Sequence, residues 1–153
     1  WPSKPGLPVS TQQAELRALL DTAQRWHLNA VLLHIRTSCD ALYPSPLEPW
    51  SEYISGRMGV APTPVWDPLA YAVTEAHARG LELHAWLNPF RARYSQAISP
   101  ISAQHISRSQ PDLVVHYGKF LWLDPGLAEA RNQTVKVVML THRTRVPGTT
   151  AAS

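Results

Sequence analysis

Apolar residues recur early in the chain with the spacing of a helix and then with that of a buried strand. The segment 11–26 places apolar residues three and four positions apart, which predicts a helix with one buried face. The residues of that face are Leu16, Leu19, Leu20 and Ala23. Ser10 precedes the segment and fits a helix N-cap. The run 30–36 is apolar apart from His34, which predicts a strand covered on both faces.

The same order of helix and strand returns later in the chain. Asp67 and Pro68 are typical of a helix start, with the aspartate as cap and the proline in the first turn. Gly80 is typical of a helix end. A largely apolar strand follows and ends at Asn88, because Pro89 cannot continue a strand. Two consecutive helix-to-strand units predict parallel strands and an α/β fold.

Beyond the second unit the pattern predicts shorter elements. Long loops are expected over 37–64 and 92–109, and ordered loops of such length are usually functional. A helical turn is expected over 111–117, a short strand over 119–124 and a helix over 125–140. The apolar stripe of that helix is formed by Leu127, Ala130, Val135 and Val138.

Several short motifs carry a resemblance to a known family. They are Trp1-Pro-Ser-Lys-Pro-Gly6, Ala30-Val-Leu-Leu-His-Ile-Arg36, Cys39-Asp-Ala-Leu-Tyr-Pro-Ser45, Glu48-Pro-Trp-Ser-Glu52, Asp67-Pro-Leu-Ala70, Gly80-Leu-Glu-Leu-His-Ala-Trp-Leu-Asn-Pro-Phe-Arg91 and Leu121-Trp-Leu-Asp-Pro-Gly126. In this order and spacing the motifs closely resemble the glycosyl hydrolase-like 10 family, over roughly residues 1 to 138. Their combination is far more specific than any one of them.

The resemblance implies a (β/α)8-type barrel whose studied members cleave the glycan strands of peptidoglycan. A complete barrel of this type needs about 200 to 250 residues, and the chain has 153. We therefore expect an α/β fold that is an incomplete (β/α)8 TIM-type barrel fragment with about two or three parallel strands. Residues 1–140 are expected to form this partial barrel, and residues 141–153 a disordered tail outside the family.

Cleavage of a glycosidic bond by the common route needs two carboxyl groups that flank the anomeric carbon. Among the chain's 11 acidic residues, those placed near a strand end or on a following loop are Asp40, Glu48, Glu52 and Asp124. Asp40 is expected to hold sugar hydroxyls or to orient Arg36. Asp124 precedes Pro-Gly, which favours a helix cap over a catalyst. By the resemblance, the catalytic carboxylates belong to later strands, so no catalytic residue is predicted here.

The remaining polar and aromatic residues at the strand ends are of the types that bind sugars. Aromatic rings stack on pyranose faces, and Asn, Asp and Arg side chains bond hydroxyl groups. An arginine also binds a carboxylate bidentately, such as the lactyl carboxylate of a muramic unit. The predicted substrate-binding residues are Arg36, Asp40, Tyr43, Trp50, Trp86, Asn88, Arg91 and Asp124.

Some of these positions have a structural alternative. Trp86 fits the protein core as well as a pocket, and both interpretations stay open. His34 and His84 occupy equivalent places near two strand ends, but they lack a third metal ligand at a suitable spacing, which favours hydrogen-bonded interior histidines. Cys39 is predicted to be a small buried residue. The sequence has no glycine-rich phosphate loop and no nucleophile elbow, so it predicts no metal and no cofactor.

Charge and hydropathy limit the partners. The net charge is +3 and the isoelectric point about 9.3. Because the basic residues are scattered, nucleic acid is not an expected partner.

The resemblance implies that the partner is carbohydrate, that the location is extracytoplasmic (periplasm or cell envelope), and that the parent protein is lipid-anchored. Two functions stay open: part of a glycoside hydrolase acting on peptidoglycan strands, or a non-catalytic truncated remnant that binds glycan weakly.

Overall fold

The computed structural model describes residues 1–94 and 97–145, with side chains through Thr141. Helices and strands follow one another in an α/β order. In chain order the elements are α1 Val9–Arg25, β1 Ala30–Arg36, α2 Glu52–Ser55, α3 Pro68–His77, β2 Glu82–Leu87, β3 Arg91–Arg93, α4 Ile106–Ser109, a 3-10 turn Pro111–Leu113, β4 Val114–Tyr117, β5 Phe120–Leu123 and α5 Ala128–Arg145.

Strands β1 and β2 form a parallel two-stranded sheet. Their register places Ala30 opposite Glu82 and His34 opposite Trp86. The predicted pair of parallel strands is therefore confirmed. Strand β2 ends at Leu87, one residue before the predicted end at Asn88, whose backbone N–H donates to the carbonyl of Arg36.

Helices α1 and α3 pack together on one face of this sheet. Leu16 and Leu20 of α1 meet Ala72 and Ala76 of α3 in the core. Leu32, on β1, is 73% exposed. The expectation that β1 is covered on both faces is thus wrong for the described residues, because both helices lie on the same side. Leu19, which the helix pattern predicted to be buried, is 57% exposed.

The two helix starts differ from each other in how well the sequence predicted them. Asp67 caps α3 as expected, since its carboxylate accepts from the backbone N–H groups of residues 69 and 70. The predicted cap at Ser10 is wrong, because α1 begins at Val9 after Pro8. The carbonyl of Pro8 accepts from the N–H groups of residues 11 and 12. Gln12 is buried, and its amide donates to the carbonyls of Leu7 and Ile54 at 2.7 and 2.8 Å.

A second, antiparallel sheet occupies the C-terminal half, with strand order β3-β5-β4. The predicted strand near residue 120 is confirmed as β5, but it joins no parallel neighbour in this sheet. The helical turn predicted over 111–117 is wrong beyond Leu113, where β4 begins. Gly118, with a φ of +59°, allows a tight hairpin that pairs β4 with β5. Strand β3, within the region read as loop, was not predicted.

Helix α5 covers this second sheet with a face that differs from the predicted stripe. Its buried residues are Ala130, Thr134, Val137 and Thr141. Val135 and Val138 are 57% and 42% exposed, so their predicted burial is wrong. The helix continues past residue 140 to Arg145. The rest of the predicted tail, 146–153, lies outside the described residues.

Candidate functional site

A cleft of about 300 Å³ opens at the carboxyl ends of β1 and β2. Ligand sites of α/β proteins lie at this end of parallel strands, because the loops that follow the strands converge there. The cleft is lined by Trp1, Pro2, His34, Thr37, Ser38, Asp40, Leu42, Glu52, Tyr53, Met58, Arg91, Tyr94 and Ala97. Of the eight predicted substrate-binding residues, Asp40 and Arg91 are in this lining.

Asp40 stands on the loop directly after β1 with a fixed carboxylate. Its Oδ1 accepts from the hydroxyl of Thr37 and from the backbone N–H of Ser38, each at 2.8 Å. These two bonds close a tight turn that points the side chain toward the cleft. Asp40 thus acts within its own loop, and Arg36 takes a different acid as its partner.

Glu52 supplies a second carboxylate to the cleft wall. It begins α2 and is 5% exposed. Its Oε1 accepts from the N–H of Ile98 at 3.2 Å, and its Oε2 from the N–H of Ser99 at 2.7 Å. Both oxygens therefore bind the backbone of an approaching loop. The role of this carboxylate is to hold two walls of the cleft together.

Arg91 enters the cleft from the start of β3, four residues after β2 ends. Asn88 positions it, because the side-chain oxygen of Asn88 accepts from the Arg91 backbone N–H at 3.2 Å. The guanidinium carbon lies 5.8 Å from the centre of the Trp122 ring, in cation–π contact. Its Nε is buried without a hydrogen-bond partner among the described residues. Arg91 also takes part in none of the ion pairs that these residues form.

His34 and Ser38 bring two more open polar atoms to the cleft. His34 Nε2 and Ser38 Oγ are buried and have no hydrogen-bond partner within the described part of the chain. The His34 ring stacks on Trp86, with centroids 4.4 Å apart and planes 11° apart. Burial lowers the pKa of His34, and the positive charge of Arg91 acts in the same direction. The imidazole is therefore neutral at pH 7.

Arg36 lies outside this cleft, in the interior. It is fully buried, and its Nε and Nη2 bind Glu48 at distances down to 2.6 Å. Its Nη1 donates to the carbonyls of Asn88 and Pro89, and Nη2 also meets the sulfur of Cys39. All five N–H donors of an arginine are engaged. Arg36 therefore ties the end of β1 to the following loop and to the end of β2.

The charge state of this buried group follows from its partners. Burial acts to lower the pKa of Arg36, but the charge and hydrogen bonds of Glu48 raise it, so the guanidinium stays charged. Cys39 is buried as predicted, and its burial raises the pKa of the thiol to about 12. The thiol is therefore protonated and unreactive at neutral pH.

The other predicted residues lie around the cleft rather than in its lining. The Tyr43 hydroxyl is buried against Thr141 at 2.9 Å. Trp50 is half-buried, and its segment pairs with Ala41 in an isolated bridge. Asp124 Oδ1 accepts from the N–H of residue 126 at 2.8 Å, so it holds the turn before α5, which begins at Ala128, and is not the cap that was predicted. Trp86 is 54% exposed, which is not a core position.

Sequence reasoning missed several lining residues because their proximity is tertiary. Glu52 is separated from the loop that it binds by more than 40 residues. Thr37 and Ser38 carried one usable signal, since short hydroxyl residues directly after a buried strand are suited to turns that present a neighbouring carboxylate. His34 had been predicted to be a hydrogen-bonded interior histidine near a strand end, and it lines the cleft.

The described residues contain neither a cluster of metal ligands nor a membrane-spanning helix. In the part of the chain that the structure describes, no three His, Cys, Asp or Glu side chains cluster as metal ligands. None of the helices within those residues combines the length and the apolar character that crossing a bilayer requires.

Comparison with known proteins places this site in a family. Glycosyl hydrolase YngK of Bacillus subtilis (strain 168) is 44% identical over 137 residues, which are 89% of this chain and 26% of that protein. Glycosyl hydrolase DigH of Escherichia coli (strain K12) is 31% identical over 145 residues, 89% of this chain and 33% of that protein. The chain thus spans about a quarter to a third of the length of these curated relatives.

The fold has a relative among solved structures. The galactosidase domain of alpha-galactosidase-sucrose kinase, AgaSK, superimposes with a TM-score of 0.55 at 17% identity, over 88% of this chain and 18% of that one. The profile of one family, described as glycosyl hydrolase-like 10, matches residues 3–145. That match confirms the resemblance carried by the sequence motifs, and the chain belongs to the glycosyl hydrolase-like 10 family.

Proposed function

We propose that the cleft is the sugar-holding part of a glycoside hydrolase-like site, and that the whole protein acts on the glycan strands of peptidoglycan. The observation that carries the proposal is the set of fixed and unpartnered polar groups around one cleft, on the loop after β1 and at the start of β3. Asp40 offers a held acceptor, and Arg91 offers a donor, Nε, that has no partner among the described residues. Side chains of opposite hydrogen-bonding character around one cleft match the hydroxyl groups of a sugar ring.

Aromatic groups extend this polar cleft. Tyr53 and Tyr94 line it, and Trp86 stacks on the lining residue His34 with more than half of its own surface exposed. Exposed aromatic rings beside polar groups are suited to stack on the apolar face of a pyranose. A glycan that leaves the cleft past His34 would meet Trp86 next.

The carboxylates in the described cleft support binding rather than bond cleavage. Both oxygens of Glu52 hold backbone N–H groups, whereas Asp40 uses only Oδ1 within its own loop. The common route of cleavage needs two available carboxyl groups, and of these two acids only Asp40 keeps an oxygen for a ligand. We therefore propose that the catalytic pair comes from other parts of the whole protein, and that the residues of this chain orient the substrate.

We further propose that the β1–β2 sheet belongs to a larger (β/α)8-type barrel. The helices cover one face, whereas Leu32 and His84 are exposed on β1 and β2. In a barrel this open face would point inward and would be covered by further strands. The proposed location is the cell envelope, where the proposed substrate lies, with a lipid anchor on the whole protein.

The alternative function is a non-catalytic protein that binds glycan weakly, and the engagement of both Glu52 oxygens, which leaves one cleft carboxylate where cleavage needs two, favours it for this chain alone. One experiment separates the two. The chain and a longer form matching the full length of its relatives are incubated with peptide-free peptidoglycan strands, and reducing ends are counted. We expect turnover with the longer form only. Turnover by the 153-residue chain would contradict the binding role, and absence of turnover in both would favour the non-catalytic alternative.

A further inference from the structure

Three buried polar atoms on residues that line the cleft have no hydrogen-bond partner among the residues that the structure describes. They are His34 Nε2, Ser38 Oγ and Arg91 Nε. Ser38 is 5% exposed, so its hydroxyl is shielded from bulk water. Leaving buried polar atoms unpaired costs about 1–3 kcal/mol each, which makes them targets for a ligand. What the ligand must offer follows from whether each atom donates or accepts.

His34 Nε2 accepts. A neutral imidazole carries one N–H and one bare nitrogen. We assign the ring proton to Nδ1, because the Arg36 backbone favours a proton on the ring and Nε2 has no partner among the described residues. With this assignment Nε2 is the bare nitrogen of a residue that lines the cleft. A ligand must bring a donor to this point.

The charges that line the cleft also disfavour a ligand that carries a carboxylate. The charged side chains that line it are Asp40, Glu52 and Arg91, so two carboxylates face one guanidinium. A ligand carboxylate would find Arg91, but it would add a third negative charge near Asp40. It would also turn its lone pairs toward the bare nitrogen of His34. A sugar hydroxyl avoids both conflicts, because it donates as well as accepts.

We infer that this cleft selects an uncharged sugar ring and disfavours a carboxylate-bearing one. The inference deepens the proposed function and rests on it. It also opposes the expectation that Arg91 meets the lactyl carboxylate of a muramic unit. In an alternating glycan strand, the acid-bearing units would then lie outside the cleft. A volume of about 300 Å³, at the small end of the range of ligand pockets, suits one ring.

The test compares two classes of oligosaccharide on the same protein by isothermal titration calorimetry. The neutral probe is an N-acetylglucosamine oligomer, and the acidic probes are an oligogalacturonate and the peptide-free disaccharide that contains muramic acid. We expect the neutral oligomer to bind at least about tenfold more tightly than the oligogalacturonate, a difference that one unpaired buried polar group can produce. The disaccharide should bind through its uncharged ring.

Two variants locate the selectivity. His34→Phe keeps a ring to stack on Trp86 but removes Nε2, and it should weaken the neutral oligomer about five- to tenfold without weakening the oligogalacturonate. Asp40→Asn should narrow the gap between the two classes by improving the acidic probe. The matched control is His84→Phe, a histidine on β2 whose side chain is 57% exposed and outside the cleft lining. It should change neither affinity.

The outcomes are distinguishable. Tighter binding of the oligogalacturonate, or unchanged neutral binding in a folded His34→Phe protein, would overturn this inference and leave the sugar-binding proposal standing. Binding of none of the three probes would contradict the proposed function and the inference together. Folding of each variant is checked by circular dichroism.

Discussion

Two arginines, one at the end of β1 and one at the start of β3, have opposite environments. Arg36 is fully buried, and five donors meet Glu48, Cys39 and two backbone carbonyls. Arg91 is half-buried, and its Nε has no partner within the described part of the chain. The residue type is the same, and both arginines lie within four residues of the end of a parallel strand. What differs is whether the protein itself supplies the acceptors.

Two histidines show the same contrast. His105 is buried, with Nε2 bonded to the carbonyl of Ser38 at 2.9 Å and Nδ1 facing Ser107. His34 lines the cleft, and its buried Nε2 has no partner among the described residues. In both pairs the side chain with complete hydrogen bonds holds the fold together, whereas the one with an unpartnered atom lines the cleft. Within these pairs, complete bonding rather than residue type therefore separates the structural side chain from the candidate binding one.

The largest expected effect comes from removing the carboxylate partner of the buried Arg36. Glu48→Ala leaves the Arg36 guanidinium buried without its carboxylate, and the loss of one partner of a buried ion pair costs about 3–5 kcal/mol. Urea denaturation followed by tryptophan fluorescence measures the free energy of unfolding. The control is Asp21→Ala, which breaks the bridge to Arg79 at a carboxylate that is 59% exposed. There the expected loss is below about 1 kcal/mol, and equal losses would contradict the structural role of Arg36.

The next effect is a pH dependence that both histidines share. Burial lowers the pKa of His34 and of His105 below the ordinary value of 6.5. Below pH 6.5 the unfolded chain therefore binds more protons than the folded one, and stability falls as the pH drops toward the lowered folded pKa values. Each such proton contributes a slope of up to about 1.4 kcal/mol per pH unit.

His105→Asn should make this slope shallower, because it removes one titrating group while an oxygen remains to accept from the N–H of Ser107. Urea denaturation between pH 7.5 and 5 measures the slope of the unfolding free energy against pH. The slope of the variant should differ from that of the wild type by the equivalent of about one bound proton at most. His116→Asn, at an exposed position of β4, is the control. A wild-type stability that rises on acidification over this range would contradict the neutral state of the two buried histidines.

The open arginine should affect affinity rather than stability. Arg91→Met keeps an aliphatic stem beside Trp122 but removes the guanidinium, so the affinity for a neutral N-acetylglucosamine oligomer should fall about tenfold. The free energy of unfolding should change by less than about 0.5 kcal/mol. Arg57→Met, an exposed arginine outside the cleft lining, should leave binding unchanged. A large loss of stability with intact binding would reverse the assignment of the two arginines.

The sequence predicted the framework of the N-terminal half because its signals are local. The cap at Asp67, the apolar run of β1 and the stop before Pro89 each depend on neighbouring residues, and each lies where it was expected. The C-terminal half depends on partners that are distant along the chain. Strands β3 and β4 gain their hydrogen bonds by pairing with β5. Each has only a few residues, which are too few to show a clear alternation of apolar and polar positions.

For the site, the sequence identified residue types but could not assign their partners. Arg36 and Arg91 were predicted alike to bind substrate, because nothing in the sequence shows that Glu48 meets Arg36 across a loop of 12 residues. The pairing of Glu52 with Ile98 and Ser99 spans even more of the chain. An engaged side chain and one with an unpartnered atom differ only through such distant contacts. The difference between Arg36 and Arg91 is therefore visible only in the three-dimensional structure.

The smallest expected effect concerns Tyr43, a predicted sugar contact whose hydroxyl is instead buried against Thr141. Thr141 donates its hydroxyl to the carbonyl of Val137, so the Tyr43 hydroxyl is the donor in their bond of 2.9 Å. In Tyr43→Phe that threonine keeps its own acceptor, and the free energy of unfolding should fall by only about 1 kcal/mol. Oligosaccharide affinity should not change, because Tyr43 is outside the cleft lining.

Tyr71→Phe, whose hydroxyl meets Arg17 at the surface, is the matched control, with a change in the free energy of unfolding below about 0.5 kcal/mol. If Tyr43→Phe instead weakened sugar binding at unchanged stability, complete hydrogen bonding in the free protein would no longer mark a side chain as structural.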